Sequence, residues 1–198
     1  MIIGLTGQIG SGKSEAARVF KRLGAVIVDA DLIGREVVDN SPQLRRKLAR
    51  EFGREILDRS GRVKRRKLAA LAFVTKSSRD KLNRIVHPYL LTELRRQVKA
   101  ALKTHEVVVI DAALLLFWKM DREVDLVLVI HSSRESRIRR MKKRGITPED
   151  ALARERAQLP YQEFRKRADR LILNNGSLKD LQRKLGQFWQ RFVLKGAV

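Results

Sequence analysis

The chain has 198 residues, 43% of them hydrophobic and 33% charged, enough to bury a core and unlike a disordered or fibrous sequence. It holds no cysteine, which excludes zinc ribbons, thiol nucleophiles, Cys-ligated iron–sulfur clusters and disulfide frameworks. Lysine and arginine total 44 against 22 acidic residues, a formal charge of +22 that attracts polyanions unless it is a solvated basic face.

Taken in order, continuous aliphatic runs alternate with amphipathic stretches. Ile2–Thr6 reads as a short buried strand, and 14–23 as a helix with Ala16, Ala17, Val19, Phe20 and Leu23 largely on one side. Residues 25–28, 106–110 and 126–130 read as further strands, and 171–173 as a fifth. Uninterrupted rather than alternating apolar runs suit a parallel sheet covered on both faces, so the expected class is a three-layer α/β fold. Helix starts are expected at Ser132-x-x-Glu135, at Thr147-Pro148-Glu149-Asp150 and at Ser177-x-x-Asp180, each a hydroxyl with an acid three residues on. The segment 32–105 reads as helical, with Ser41-Pro42 as a natural start and 53–61 as a turn region. A crossover needs only a dozen or more residues, so this segment is expected to be a helical insertion that builds a substrate pocket. A second elaboration, about 144–167, is rich in arginine and contains Pro148 and Pro160, as a mobile flap would. The chain is therefore expected to be one domain with two elaborations. It has no apolar run near ~20 residues and no charged start with a cleavage site, so a cytoplasmic protein without a membrane span is expected.

The strongest motif is Gly7-Gln-Ile-Gly-Ser-Gly12-Lys13-Ser14, a full match to G-x-x-x-x-G-K-[ST], set between a strand and a helix as that motif requires. Its glycines let successive N–H groups turn toward phosphate oxygens, and the helix that follows adds its positive end. Lys13 can reach the β- and γ-phosphates, and the Ser14 hydroxyl can ligate Mg²⁺. ATP is thus the expected co-substrate. Asp29 and Asp31 close the second strand, where a carboxylate can take a proton from an attacking hydroxyl or can simply cap a helix beginning at Leu32. Asp111 ends the third strand and competes for the metal, as Asp31 does, through water. A base-reading N-K-x-D is absent, which argues against a GTPase.

Beyond the loop, several stretches together carry a resemblance: Leu23-Gly24 with Asp29-Ala-Asp31, Phe52-Gly53, Gly61-Arg-Val-Lys-Arg65, Leu68, Phe73, Leu82-Asn83, His87-Pro88, Gln158-Leu-Pro160 and Asn174-Asn-Gly176. Over nearly its whole length the chain resembles the bacterial dephospho-CoA kinases. The resemblance implies phosphorylation of the ribose 3′-hydroxyl of dephospho-CoA by ATP, with Asp31 and Lys13 catalytic. It implies nucleotide contacts from Gly10, Ser11, Gly12, Lys13, Ser14, Glu15, Arg140, Arg144, Asn174 and Gly176, with Arg154 in the lid. It implies acceptor contacts from Thr6, Asp31, Arg65, Leu68 and His87. For His87 the alternative is a core histidine that ends a helix before Pro88. The chain departs from the family's D-x-P-L-L-x-E after the third strand, reading Asp111-Ala-Ala-Leu-Leu-Leu-Phe117-Trp118 instead. Two other classes remain: a kinase for another hydroxyl, such as a nucleoside, nucleotide or sugar acid, and a nucleic-acid-binding ATPase. Scattered aromatics without a stacking motif argue against specific nucleic-acid recognition.

Overall fold

The computed structural model describes residues 1–143, 145–147, 151, 155 and 158–196. Two compact units emerge: residues 1–28 with 100–198, and residues 29–99.

The first unit is built on five strands: β1 (Ile2–Thr6), β2 (Val26–Asp29), β3 (Val108–Asp111), β4 (Leu126–His131) and β5 (Arg170–Leu173). They lie in the order β2-β3-β1-β4-β5. β1 pairs in parallel with both β3 and β4, and β4 pairs in parallel with β5. Each continuous apolar run read from the sequence is thus a sheet strand, as expected for a parallel sheet. β1 is central, and Gly4 within it leaves no room for a side chain. A Cβ there would meet Leu115 Cδ2 at 2.9 Å and Val124 Cγ2 at 3.2 Å.

Helix α1 (Lys13–Arg22) buries Ala16, Ala17, Val19 and Phe20 of the predicted apolar side, whereas Leu23 falls just past its end and is exposed. Phe20 is fully buried against Phe188 and Trp189, with ring centroids 5.8 and 5.9 Å away. Burying such a side chain contributes ~1.5–3 kcal/mol. The chain's last long helix (Leu178–Phe188) starts where expected, with Ser177 Oγ accepting from Asp180 N–H. The expected start at Ser132 is corrected by one residue. Ser133 Oγ accepts from Ser136 N–H, ahead of the helix Arg134–Lys143. Ser132 is fully buried and its Oγ instead accepts from Arg140. A partly buried guanidinium needs an acceptor more than an exposed helix end needs a cap. Of the third expected start, Pro148, Glu149 and Asp150 lie outside the described residues, as do Arg144 and Arg154.

The second unit is helical: α2 (Ala30–Asn40), α3 (Pro42–Phe52), α4 (Arg65–Ala72) and most of α5 (Lys76–Ala101). Ser41 Oγ caps α3 at Leu44 N–H, ahead of Pro42 in the first turn. The turn region holds a short 3₁₀ segment (Arg54–Ile56) and an isolated antiparallel bridge between Leu57 and Val63. Val38, Leu44, Leu48, Ile56, Leu68 and Ala72 form this unit's own core. α5 runs through Pro88, which corrects the reading of His87 as the end of a helix. Proline removes the hydrogen bond its N–H would give the Arg84 carbonyl, and the helix continues past it, with Thr92 Oγ1 donating to the Pro88 carbonyl at 2.9 Å. α2 and α5 flank a groove of about 620 Å³, lined by Glu36, Val37, Asn40, Tyr89, Thr92 and Glu93 among others. With the second unit's helices α2 to α5 defined, Arg134–Lys143 is α6, Tyr161–Lys166 is α7 and Leu178–Phe188 is α8. Among the described residues no helix is long and apolar enough to cross a membrane.

Candidate active site

The phosphate loop links the central strand β1 to α1, so its position is set by the most buried part of the sheet. Helix α1 has Gly12 at its N-cap and no side-chain cap, which leaves the first-turn N–H groups for a ligand. Gly12 sits at φ +104°, and a Cβ on it would lie 2.2 Å from Asn174 Nδ2. No other residue fits there without moving Asn174. Within the loop Ser11 N–H donates to the Gln8 carbonyl at 3.0 Å, closing the turn.

Lys13 and Asp111 form an ion pair, and both side chains are largely shielded from water. The register explains the meeting: Asp111 ends β3 opposite Leu5 of β1, so its carboxylate lies at the edge from which the loop springs. Ser14 is exposed at the first turn of α1, and Glu15 beside it is held by Arg18 at 2.8 Å. Thr6, at the end of β1, is fully buried, and its Oγ1 has no partner among the described residues.

Two further residues brace the loop from below. Asn174 Nδ2 donates to the Ser11 carbonyl at 2.7 Å, and the Asn174 backbone N–H donates to His131 at the end of β4. Arg140 Nη1 donates to the Gly10 carbonyl at 3.2 Å and Ser132 Oγ at 2.8 Å, while its Nη2 donates to the Asn174 carbonyl at 2.7 Å. Arg140 and Asn174, predicted as nucleotide contacts, thus hold the loop's own backbone. Gly176 lies in the same connection after β5, against Asp180.

Sequence reasoning missed two pairings around this loop. Gln158 Oε1 accepts from Ile9 N–H at 2.8 Å. Arg137 of α6 is 4% exposed and pairs with Glu155, which Arg134 also holds at 3.0 Å. Burial raises the Glu155 pKa, but hydrogen bonds from Arg134 and Arg137 outweigh it and leave the carboxyl below its ordinary value. The signal for Arg137 was its place three residues before Arg140, on one helical stripe. His131 stacks on Tyr161, and burial, with the charge of Arg137, keeps its pKa below the ordinary value.

In the helical unit, Asp29 is the N-cap of α2, its Oδ1 accepting from Asp31 N–H at 2.9 Å and Leu32 N–H at 3.0 Å. The helix therefore begins at Ala30 rather than Leu32. Asp31 is exposed in the first turn, and its carboxylate takes no hydrogen bond or ion pair among the described residues. Arg65 pairs with Asp39 at 2.6 Å and reaches the Arg35 carbonyl, tying the start of α4 to α2. Leu68 packs into the core. His87 is half-buried, and desolvation lowers its pKa.

A parallel sheet with a phosphate loop at the carboxyl end of its central strand defines the chain as an α/β protein of the P-loop kinase class. A shikimate kinase from Acinetobacter baumannii shares this fold, with a TM-score of 0.54 over 98% of this chain and 94% of that one at 18% identity. The family model for dephospho-CoA kinase matches residues 1–180. A dephospho-CoA kinase of Corynebacterium diphtheriae is 39% identical over 194 residues, 97% of each chain. One from Bacillus cereus is 37% identical over 187 residues, 93% of this chain and 94% of that protein. A crystal structure from Thermus thermophilus superposes with a TM-score of 0.80 at 34% identity, covering 96% of both chains. The chain belongs to the dephospho-CoA kinase family.

Proposed function

We propose that the protein transfers the γ-phosphoryl group of ATP to the ribose 3′-hydroxyl of dephospho-CoA, releasing coenzyme A and ADP. The observation that carries this reading is the complete phosphate loop, with Lys13 paired to the strand-end Asp111, in a chain of this family.

The loop's N–H groups and the start of α1 hold the triphosphate. Lys13 then exchanges Asp111 for phosphate oxygen and offsets the charge that develops on the transferring group. That exchange takes one cation away from the Asp111 carboxylate. Mg²⁺ takes few protein ligands and keeps several waters, so an exposed Ser14 hydroxyl with one nearby carboxylate fits it. When bound, the ion neutralises charge between the β- and γ-phosphates. Asp31 orients or deprotonates the acceptor hydroxyl, a role its unpartnered carboxylate leaves open. The helical segment 32–105 serves the acceptor, with Arg65, Leu68 and His87 among its contacts, and 144–167 serves as a lid that excludes water.

The test is a coupled ADP-release assay over a panel of hydroxyl acceptors: dephospho-CoA, nucleosides, nucleotides, shikimate and other sugar acids. Turnover with dephospho-CoA far above the rest is expected. Preference for another acceptor refutes the assignment while leaving the kinase class intact.

A further inference from the structure

Arg137 is nine-tenths buried, yet its guanidinium is only partly used. One nitrogen, Nη2, pairs with Glu155, whereas Nε and Nη1 have no partner among the described residues. Free N–H groups on a buried cation are costly to fold around, so a protein that keeps them needs an explanation. Their location supplies one. The Arg137 backbone abuts the phosphate loop: a Cβ on Gly10 would lie 2.8 Å from the Arg137 carbonyl oxygen and 3.1 Å from its Cα and Cβ. The Arg137 charge also reaches His131, at the carboxyl end of β4 beside β1. A second cation is thus carried by a residue whose backbone packs on the loop, with donors to spare and one acidic partner among the described residues. An oligoanion in the loop is what such donors are suited to accept.

We propose that Arg137 is a further nucleotide-binding residue, donating Nε–H and Nη1–H to phosphate oxygens of bound ATP while Glu155 holds its Nη2 and fixes the side chain. The proposal rests on the ATP-kinase reading. It assigns Arg137 a direct role, in contrast to Arg140, which is spent on loop carbonyls.

The test uses Arg137→Met, which keeps volume and removes every donor. Affinities for ATP, ADP and AMP are measured by isothermal titration, alongside the melting temperature without ligand. Lys13→Ala and the exposed Arg134→Met, which also pairs with Glu155, are controls. Hydrogen bonds to charged groups imply a loss of ~10- to 100-fold in ATP affinity, smaller for ADP and smallest for AMP. The ligand-free melting temperature should stay level or rise, because replacing a half-satisfied buried cation by an apolar side chain relieves desolvation. Arg134→Met should bind ATP as wild type does. ATP affinity within twofold of wild type in Arg137→Met, with Lys13→Ala impaired, refutes the Arg137 role and leaves the kinase reading standing. A lowered melting temperature with equal losses for all three nucleotides marks a structural residue and also refutes it. Absence of ATP binding by the wild type overturns both. Should Arg137→Met fail to fold, Arg137→Lys is read by the same criteria.

Discussion

Gly12→Ala tests how tightly the loop is held from below. Placing a side chain at φ +104° costs about 1–2 kcal/mol in backbone strain. The new Cβ would sit 2.2 Å from Asn174 Nδ2, so the Asn174 side chain must swing away. That breaks its 2.7 Å hydrogen bond to the Ser11 carbonyl, in a buried place where an unmatched group costs about 1–3 kcal/mol. Together the loss is roughly 2–5 kcal/mol, or a fall in melting temperature of about 4–20 °C for a chain of this size. Denaturant unfolding of Gly12→Ala, Asn174→Ala and the double variant measures it. With the asparagine already truncated, the substitution should cost only the backbone strain, so the two changes should be non-additive by about 1–3 kcal/mol. Strict additivity would show that the clash is not the source, and that the glycine is needed for backbone conformation alone.

Lys13→Ala should lower phosphoryl transfer by at least ~10³-fold, since a preorganised cation at the transferring group is lost, while unfolding stays cooperative by circular dichroism. Asp31→Asn should reduce kcat by ~10² or more with the KM for ATP nearly unchanged, whereas Asp29→Asn should act mainly on stability as a lost helix cap. Retained turnover in Asp31→Asn would move the base elsewhere, with Asp111 next. In hydrogen exchange, dephospho-CoA should protect amides within 32–105 and ATP those of Gly7–Ser14; protection of the loop alone by both ligands would remove the two-site map. Burial lowers the His87 pKa below 6.5, so the unfolded chain binds the extra proton first. Its stabilising effect is complete above pH 6.5 and is lost as the pH falls toward the folded value. His87→Gln should therefore flatten the pH dependence of unfolding below pH 6.5, and an unaltered slope would assign it to other groups.

The strands were legible because the strands of a parallel sheet are largely continuous apolar runs, and 2–6, 126–130 and 171–173 are little else. Helix starts were legible where a hydroxyl caps locally, as at Ser41 and Ser177. They failed where tertiary demand took the hydroxyl away, as at Ser132, which serves Arg140 while Ser133 takes the cap. The phosphate loop was legible because its chemistry is contained in eight adjacent residues. What surrounds it was not. Asn174 lies 163 residues from Ser11, and Gln158 lies 149 residues from Ile9, and no local pattern announces either meeting. Of the seven basic residues crowded at 134–144, the sequence could not separate those turned to the loop from those in water. The structure does so for two: Arg137 is buried, and the partly buried Arg140 donates to the Gly10 carbonyl.

Three donors on or beside the loop are each paired with an oxygen of the protein: Lys13 with Asp111, Ile9 N–H with Gln158, and Arg137 with Glu155. A loop of free N–H groups and cations, packed against like charge in a chain of net +22, would otherwise pay desolvation and repulsion with nothing in return. Nucleotide binding on the proposed function is then an exchange of oxygen for oxygen at Lys13 and Ile9. Its net free energy is the difference between phosphate and the protein's own acceptors rather than the full strength of either. The exchange at Lys13 has a chemical consequence that the one at Ile9 lacks. The displaced acceptor, Asp111, is a carboxylate at the strand end next to the first turn of α1. On the proposed function it loses one cationic partner as the triphosphate binds, which makes it a better acceptor for the positive charge that accompanies the nucleotide.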